Sequence, residues 1–149
     1  QLNNYKCVTA LNQTALDFEE QLHKLIKNHK PRIMLDAVAD QTSSDIFTSM
    51  PSHSRWVVYG KLSAENPVVD QMGQFIFMDK NIEGFWLTKW MKNSSSEEQM
   101  TAGMKVQQMF SSGKWKTDVA AKIPLSKAHD ELPNALSGMN TGKIMLIAD

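Results

Sequence analysis

Two short apolar runs constrain this chain more than any other feature: Ile33-Met34-Leu35-Asp36-Ala37-Val38 and Trp56-Val57-Val58-Tyr59. A strand with one wet face alternates apolar and polar residues, whereas a nearly unbroken apolar run suits a strand covered on both faces of a parallel sheet. The segment between the runs is long enough for a crossover helix, and Thr42 to Met50 reads as one. Ahead of the first run, Phe18, Leu22, Leu25 and Ile26 recur at helical spacing from Asp17, and that helix should end near Lys30-Pro31. Lys6 to Leu11 reads as a short strand. The first sixty residues thus predict strand, helix, strand, helix, strand, the pattern of crossover units in an α/β fold. The strands Ile33 to Asp36 and Arg55 to Tyr59 should therefore pair in parallel, the second stopped by Gly60.

Further along, Val68 to Met78 predicts a short helix and Asn81 to Leu87 a strand running into an aromatic turn. Ser96 followed by Gln99 resembles a capping box, so a helix should begin near Glu97. Met100, Met104 and Phe110 give that helix an apolar side expected to pack in a core, and Gly113 is placed to end it. Val119 to Leu125 reads as a strand, Ser126 to Leu136 as a helix interrupted by Pro133, and Lys143 to Ile147 as a final strand.

Composition narrows the function classes. Sixteen Lys plus Arg balance sixteen Asp plus Glu, so no long-range field favours nucleic acid or an anionic membrane, and neither partner is expected. Cys7 is the only cysteine, which excludes an internal disulfide and a multi-thiolate zinc site and fits a reducing compartment. No apolar run approaches the roughly 20 residues needed to span a bilayer. A cytoplasmic location is the expectation.

In an open α/β sheet, ligands bind beyond the carboxyl ends of the strands, which directs attention to Asp36, Tyr59 and Gly60. Asp36 could meet a ribose or a catalytic water, or it could cap the turn that follows its strand. Gly60 could let a ligand approach the backbone, or it could supply a turn with positive φ. No G-x-G-x-x-G loop is present, and Gly138 to Lys143 has the wrong spacing and context for a P-loop. His23, His29, His53 and His129 form no metal-ligand pattern and fall in segments read as exposed. No serine sits in a nucleophile elbow, and Cys7 falls inside the expected first strand, so no catalytic residue and no metal site is expected. Gly84-Phe85-Trp86-Leu87-Thr88-Lys89-Trp90 is the most unusual segment, suited either to walling a flat ring off from water or to an aromatic interface.

The stretches IMLDAV (Ile33 to Val38), WVVYGKLS (Trp56 to Ser63), Pro67-Val68-Val69, FIFMDKNIEGFWLTKWMK (Phe75 to Lys92), Ile123-Pro124-Leu125 and TGKIML (Thr141 to Leu146) resemble a known family. It is the zinc-independent quinone oxidoreductase and 2-enoyl-thioester reductase branch of the medium-chain dehydrogenase/reductase superfamily. The resemblance runs from about Asp17 to the end and is most specific in the aromatic segment. It implies that Tyr59, Gly60, Lys61 and Leu62, together with Phe85, Trp86, Leu87 and Thr88, border the nicotinamide half of NADPH, and that Lys143 lies near the cofactor. It also implies a small-molecule substrate and a homodimer formed edge to edge through Asn81 to Leu87.

The resemblance carries an expectation about organisation. Residues 1–116 would be an incomplete Rossmann-like nucleotide-binding domain, and residues 117–149 a carboxyl-terminal segment that normally completes a separate catalytic domain. In the family, the glycine-rich loop, the barrel-like catalytic domain and the proton-donating tyrosine lie ahead of the region matched here. The expected function is therefore that of a carboxyl-terminal part of an NADPH-dependent oxidoreductase, transferring hydride to an enoyl thioester or a quinone when complete and inactive alone. A non-catalytic dimerisation module of the same fold is the alternative.

Overall fold

A computed structural model describes residues 7–137 and 142–149. The chain forms two compact units, Gln1–Asn93 and Ser94–Asp149. In the first, helix α1 (Phe18–His29) leads to strand β1 (Ile33–Asp36), helix α2 (Gln41–Ser49) and strand β2 (Arg55–Val58). Helix α3 (Gly73–Phe77), strand β3 (Asn81–Gly84) and helix α4 (Leu87–Asn93) follow. The sheet order is β1-β2-β3 with every pair parallel, as the apolar runs predict. Ile33 is level with Arg55, and Arg55 with Asn81.

Local chemistry sets the boundaries. Lys30 takes a left-handed conformation (φ 46°) and donates its amide to the Ile26 carbonyl, closing α1 one residue before Pro31. The Asp40 side chain accepts from the Ser43 amide at 2.9 Å and opens α2. The helix expected from Val68 begins only at Gly73. The reason is that Val68 gives its backbone groups to α2: its amide donates to Gln41 Oε1 (2.8 Å) and its carbonyl accepts from Ser44 Oγ (2.7 Å). Similarly, β3 ends at Gly84, and Leu87 already opens α4.

One face of the sheet carries the core. Ile26, Phe47, Met50 and Trp56 form its buried centre, with Leu22, Met34, Val58, Val69 and Phe75 packed against it. The Phe47 ring lies 5.5 Å from Trp56 and 6.2 Å from Phe75, centroid to centroid, in tilted arrangements typical of aromatic cores. The other face departs from the expectation of two covered sides, because Ile33 is 59% and Leu35 68% exposed. Arg55 and Glu83 form a hydrogen-bonded ion pair among the outward residues of that face. Of the expected first strand, Lys6 lies outside the described residues, and residues 7–11 form no strand.

The second unit holds helix α5 (Ser96–Ser111), strand β4 (Val119–Pro124), a short 3-10 turn (Leu125–Lys127), helix α6 (Ala128–Ser137) and strand β5 (Lys143–Ile147). The capping box forms one residue earlier than expected, on Ser95 and Glu98. Glu98 Oε2 accepts from the Ser95 amide at 2.8 Å, and a full carboxylate suits the positive end of a helix better than the Gln99 amide would. Gly113 (φ 71°) ends α5. Strands β4 and β5 pair in parallel across α6, which continues past Pro133. Met100, Met104 and Phe110 are exposed, so their helical spacing does not mark a core.

Candidate functional site

At the carboxyl end of the three-stranded sheet, successive chain segments are tied to one another by backbone hydrogen bonds. The Tyr59 amide donates to the Asp36 carbonyl (2.9 Å), Leu62 to Ala37 (3.1 Å) and Ser63 to Val38 (3.0 Å). A strap of residues 59–63 is therefore laced to the turn that follows β1. On the other side, the Phe85 amide donates to the Val58 carbonyl (2.8 Å). Tyr59 and Phe85 thus leave the sheet from adjacent strand ends, where parallel sheets bind ligands.

Eight of the nine residues expected near a cofactor are brought to this edge: Tyr59, Gly60, Lys61, Leu62, Phe85, Trp86, Leu87 and Thr88. Tyr59, Leu62, Phe85, Trp86 and Leu87 are all exposed, Leu62 at 81% and Trp86 at 65%. The edge presents apolar and aromatic surface to whatever it meets. Lys61 turns back instead, donating from Nζ to the carbonyls of Ser63 and Glu65, so its ammonium closes the following loop. Lys143, the ninth, opens β5 in the second unit and is exposed, its amide donating to the Asp118 carbonyl at 2.7 Å. Thr141 of the same segment lies outside the described residues. Gly142 (φ 156°) has no room for a side chain, since a Cβ there would sit 2.5 Å from the Asp118 carbonyl oxygen.

Asp36 is a capping residue of an unusual kind. It is 5% exposed, and its carboxylate accepts from the Val38 amide (2.8 Å), the Ala39 amide (3.1 and 3.2 Å) and the Trp56 indole Nε1 (2.9 Å). Burial pushes this carboxyl up, but the hydrogen bonds from Val38 and Ala39, with those of the Ser43 and Trp56 side chains, outweigh it and hold it below the usual aspartate value. With its acceptors so engaged, Asp36 shapes a turn. Gly60 fits neither a positive-φ turn nor an open approach for a ligand. Its φ is not positive, and a Cβ would lie 2.8 Å from the Ala37 carbonyl oxygen. It is glycine so that strap and turn can touch.

Two residues of this architecture escape a reading of the sequence. Trp56 reads as one more apolar residue in a buried strand, and the available signal was that a buried indole N–H needs an acceptor. Lys80 is 3% exposed and donates from Nζ to the carbonyls of Phe47 and Thr48 (3.0 Å each) and to Gln74 Oε1 (2.7 Å). It thereby satisfies the carboxyl end of α2, and burial lowers its pKa.

The remaining candidates stay apart. His23, His29, His53 and His129 are exposed, and His53 Nδ1 pairs with Asp79 Oδ2 at 2.9 Å. No group of three or more His, Cys, Asp or Glu is arranged to hold a metal ion among the described residues. Cys7 is exposed and free in a turn, not inside a strand. A groove of about 470 Å³ beside β1 is lined by Cys7, Leu22, Ile26, Ile33, Met34 and Met50, among others, and by none of the nine residues. No helix among the described residues is long and apolar enough to cross a membrane.

No family model matches the chain. A Mesorhizobium loti protein provisionally named an NADPH:quinone reductase has a crystal structure that is 41% identical over 91% of this chain, with a TM-score of 0.81. CurA of Vibrio vulnificus, in complex with NADPH, superposes over 93% of the chain with a TM-score of 0.65 at 20% identity, a likeness of fold. The mitochondrial enoyl-acyl-carrier-protein reductase of Bos taurus is 26% identical over 96 residues, 64% of the chain. The chain spans only 26% to 42% of the length of these relatives. In sequence and in fold it is similar to part of the medium-chain dehydrogenase/reductase superfamily, on the side of the quinone and enoyl-thioester reductases.

Proposed function

We propose that this chain supplies the nicotinamide-facing wall of an NADPH-dependent reductase that reduces an enoyl thioester or a quinone. The observation that carries the reading is that Tyr59 to Leu62 and Phe85 to Thr88 follow adjacent strands, β2 and β3, at the carboxyl edge of one parallel sheet. Exposed aromatic and apolar side chains there fit a flat, uncharged ring face. The described residues offer no glycine-rich phosphate loop, so the fit is to the nicotinamide half of the cofactor. Bound NADPH would supply the hydride; the chain's own part is to place the ring and keep water from it. The residues that donate a proton and hold the pyrophosphate belong, on this reading, to segments that the longer relatives carry. Residues 117–149, including Lys143, would complete the catalytic domain of that enzyme, without zinc, and the enzyme would be cytoplasmic.

Calorimetric titration of the 149-residue chain with NADPH tests the division of labour. Affinity weaker than micromolar is expected, because about 8 kcal/mol of binding needs phosphate contacts that these residues lack. In the complete reductase, Lys143→Ala should raise the KM for NADPH about tenfold, the worth of one charged hydrogen bond. A KM and turnover within about twofold of the parent would remove Lys143 from the site.

A second reading, a dimerisation module that binds no nucleotide, is favoured by the position of β3 at an edge of the sheet. An unpaired edge is a template for another strand. Both readings use Asn81 to Leu87 to pair two copies, so light scattering at about tens of micromolar should show a dimer. A monomer at that concentration ends the second reading and removes the pairing from the first.

A further inference from the structure

The strap of residues 59–63 has no helix or strand of its own, so something else must fix its path. Its amides at Tyr59, Leu62 and Ser63 are held by the carbonyls of Asp36, Ala37 and Val38, and the orientation of those carbonyls depends on the turn they belong to. That turn is strained. Ala39 sits at φ 55°, a left-handed conformation that disfavours a residue with a Cβ. Ala39 is buried, and its amide points at the Asp36 carboxylate. The same carboxylate is anchored from the neighbouring strand by the Trp56 indole, which is itself only 2% exposed.

We propose that Asp36, clamped by Trp56, is the positioning residue of the candidate cofactor wall, holding the Ala37–Ala39 turn in its strained shape so that the turn's carbonyls set the strap at Tyr59 to Ser63. Among the described residues Asp36 has no ion-pair partner; two backbone amides of the turn after β1 and the indole N–H of Trp56 on β2 do the holding. A neutral amide at this position could not replace it. One of its two ends would present N–H groups to donors already there, so either the Trp56 anchor or an amide of the turn would be lost. A shift of about 1 Å in such a wall is enough to depress turnover about a hundredfold.

The link to the cofactor rests on the proposed function, but the mechanical claim does not, and the two are separable. Amide hydrogen exchange on the 149-residue chain reads the strap directly. In Asp36→Asn, the Leu62 and Ser63 amides should exchange about tenfold faster, the equivalent of one or two lost hydrogen bonds, while amides of α1 keep their parental rates. Adding Ala39→Gly, which removes the penalty that the carboxylate offsets, should restore protection at Leu62 and Ser63. Unchanged protection in Asp36→Asn, a uniform rise across the whole first unit, or no rescue by Ala39→Gly would each overturn the proposal. Should Asp36→Asn fail to fold, acidifying the parent below the folded pKa of Asp36, which lies under the ordinary aspartate value of about 3.9, leaves the carboxyl uncharged, and unchanged protection factors at Leu62 and Ser63 there would overturn it equally. In the complete reductase, Asp36→Asn is then expected to raise the KM for NADPH about tenfold. Loss of strap protection without a change in KM would leave the role of Asp36 intact and refute the strap as part of the cofactor wall.

Discussion

Adding a single methyl group at Gly60 should separate the strap from the turn. The new Cβ would lie 2.8 Å from the Ala37 carbonyl oxygen, 3.1 Å from its Cα and 3.3 Å from its carbonyl carbon. Carbon-to-oxygen contacts settle at about 3.3–3.6 Å, so strap and turn must part by roughly half an ångström. The three nearest atoms are all backbone, with no side chain to swing aside. The motion bears on the Leu62-to-Ala37 and Ser63-to-Val38 hydrogen bonds, already 3.1 and 3.0 Å long. Overpacking of this kind destabilises by about 1–3 kcal/mol, which in a unit of this size lowers the melting temperature by about 5–15 °C. Gly84→Ala is the matched control: a Cβ there meets nothing within 4 Å, and alanine in a strand should be neutral or stabilise by about 0.5–1 kcal/mol. Thermal melts followed by circular dichroism measure both. If Gly60→Ala melts within about 1 °C of the parent, or Gly84→Ala falls as far, the close approach is not what fixes glycine at this position.

Two further outcomes follow from the buried titratable groups. Lys80→Met removes the donor to Phe47, Thr48 and Gln74 and should lower stability in urea by about 2–3 kcal/mol, since buried carbonyls are left without partners; no loss would mean that the lysine is not closing α2. Burial lowers the Lys80 pKa in the folded state, so the unfolded chain binds more protons below the ordinary lysine value of about 10.4, and stability should climb as pH rises toward it. That climb should shrink in Lys80→Met. Asp36 acts in the same sense but in acid: its folded pKa is depressed, so its contribution is complete above the ordinary aspartate value of about 3.9 and fades as pH falls through the folded value. Asp36→Asn should flatten that part of the acid melt, and a parental acid midpoint in the variant would contradict the assignment.

The sequence by itself determined the α/β class, the parallel pairing of β1 with β2, the helices at Phe18–His29 and Gln41–Ser49, and the segments that gather at the strand ends. These are matters of local periodicity and capping, carried by residues within a few positions of each other. The tertiary structure alone decided which sheet face is covered, because Ile33 and Leu35 are as apolar as Met34 and only packing shows that they point outward. It also decided that Val68 would give its backbone to Gln41 and Ser44 instead of starting a helix. The same holds for Asp36, whose partner Trp56 is 20 residues away, and for Lys80, whose partners Phe47 and Thr48 are 33 and 32 residues away. Nothing in the spacing of such residues encodes their meeting. The hydrogen bonds exist because the packed sheet buries these polar groups together, and a buried polar group must find a partner wherever the fold has put one.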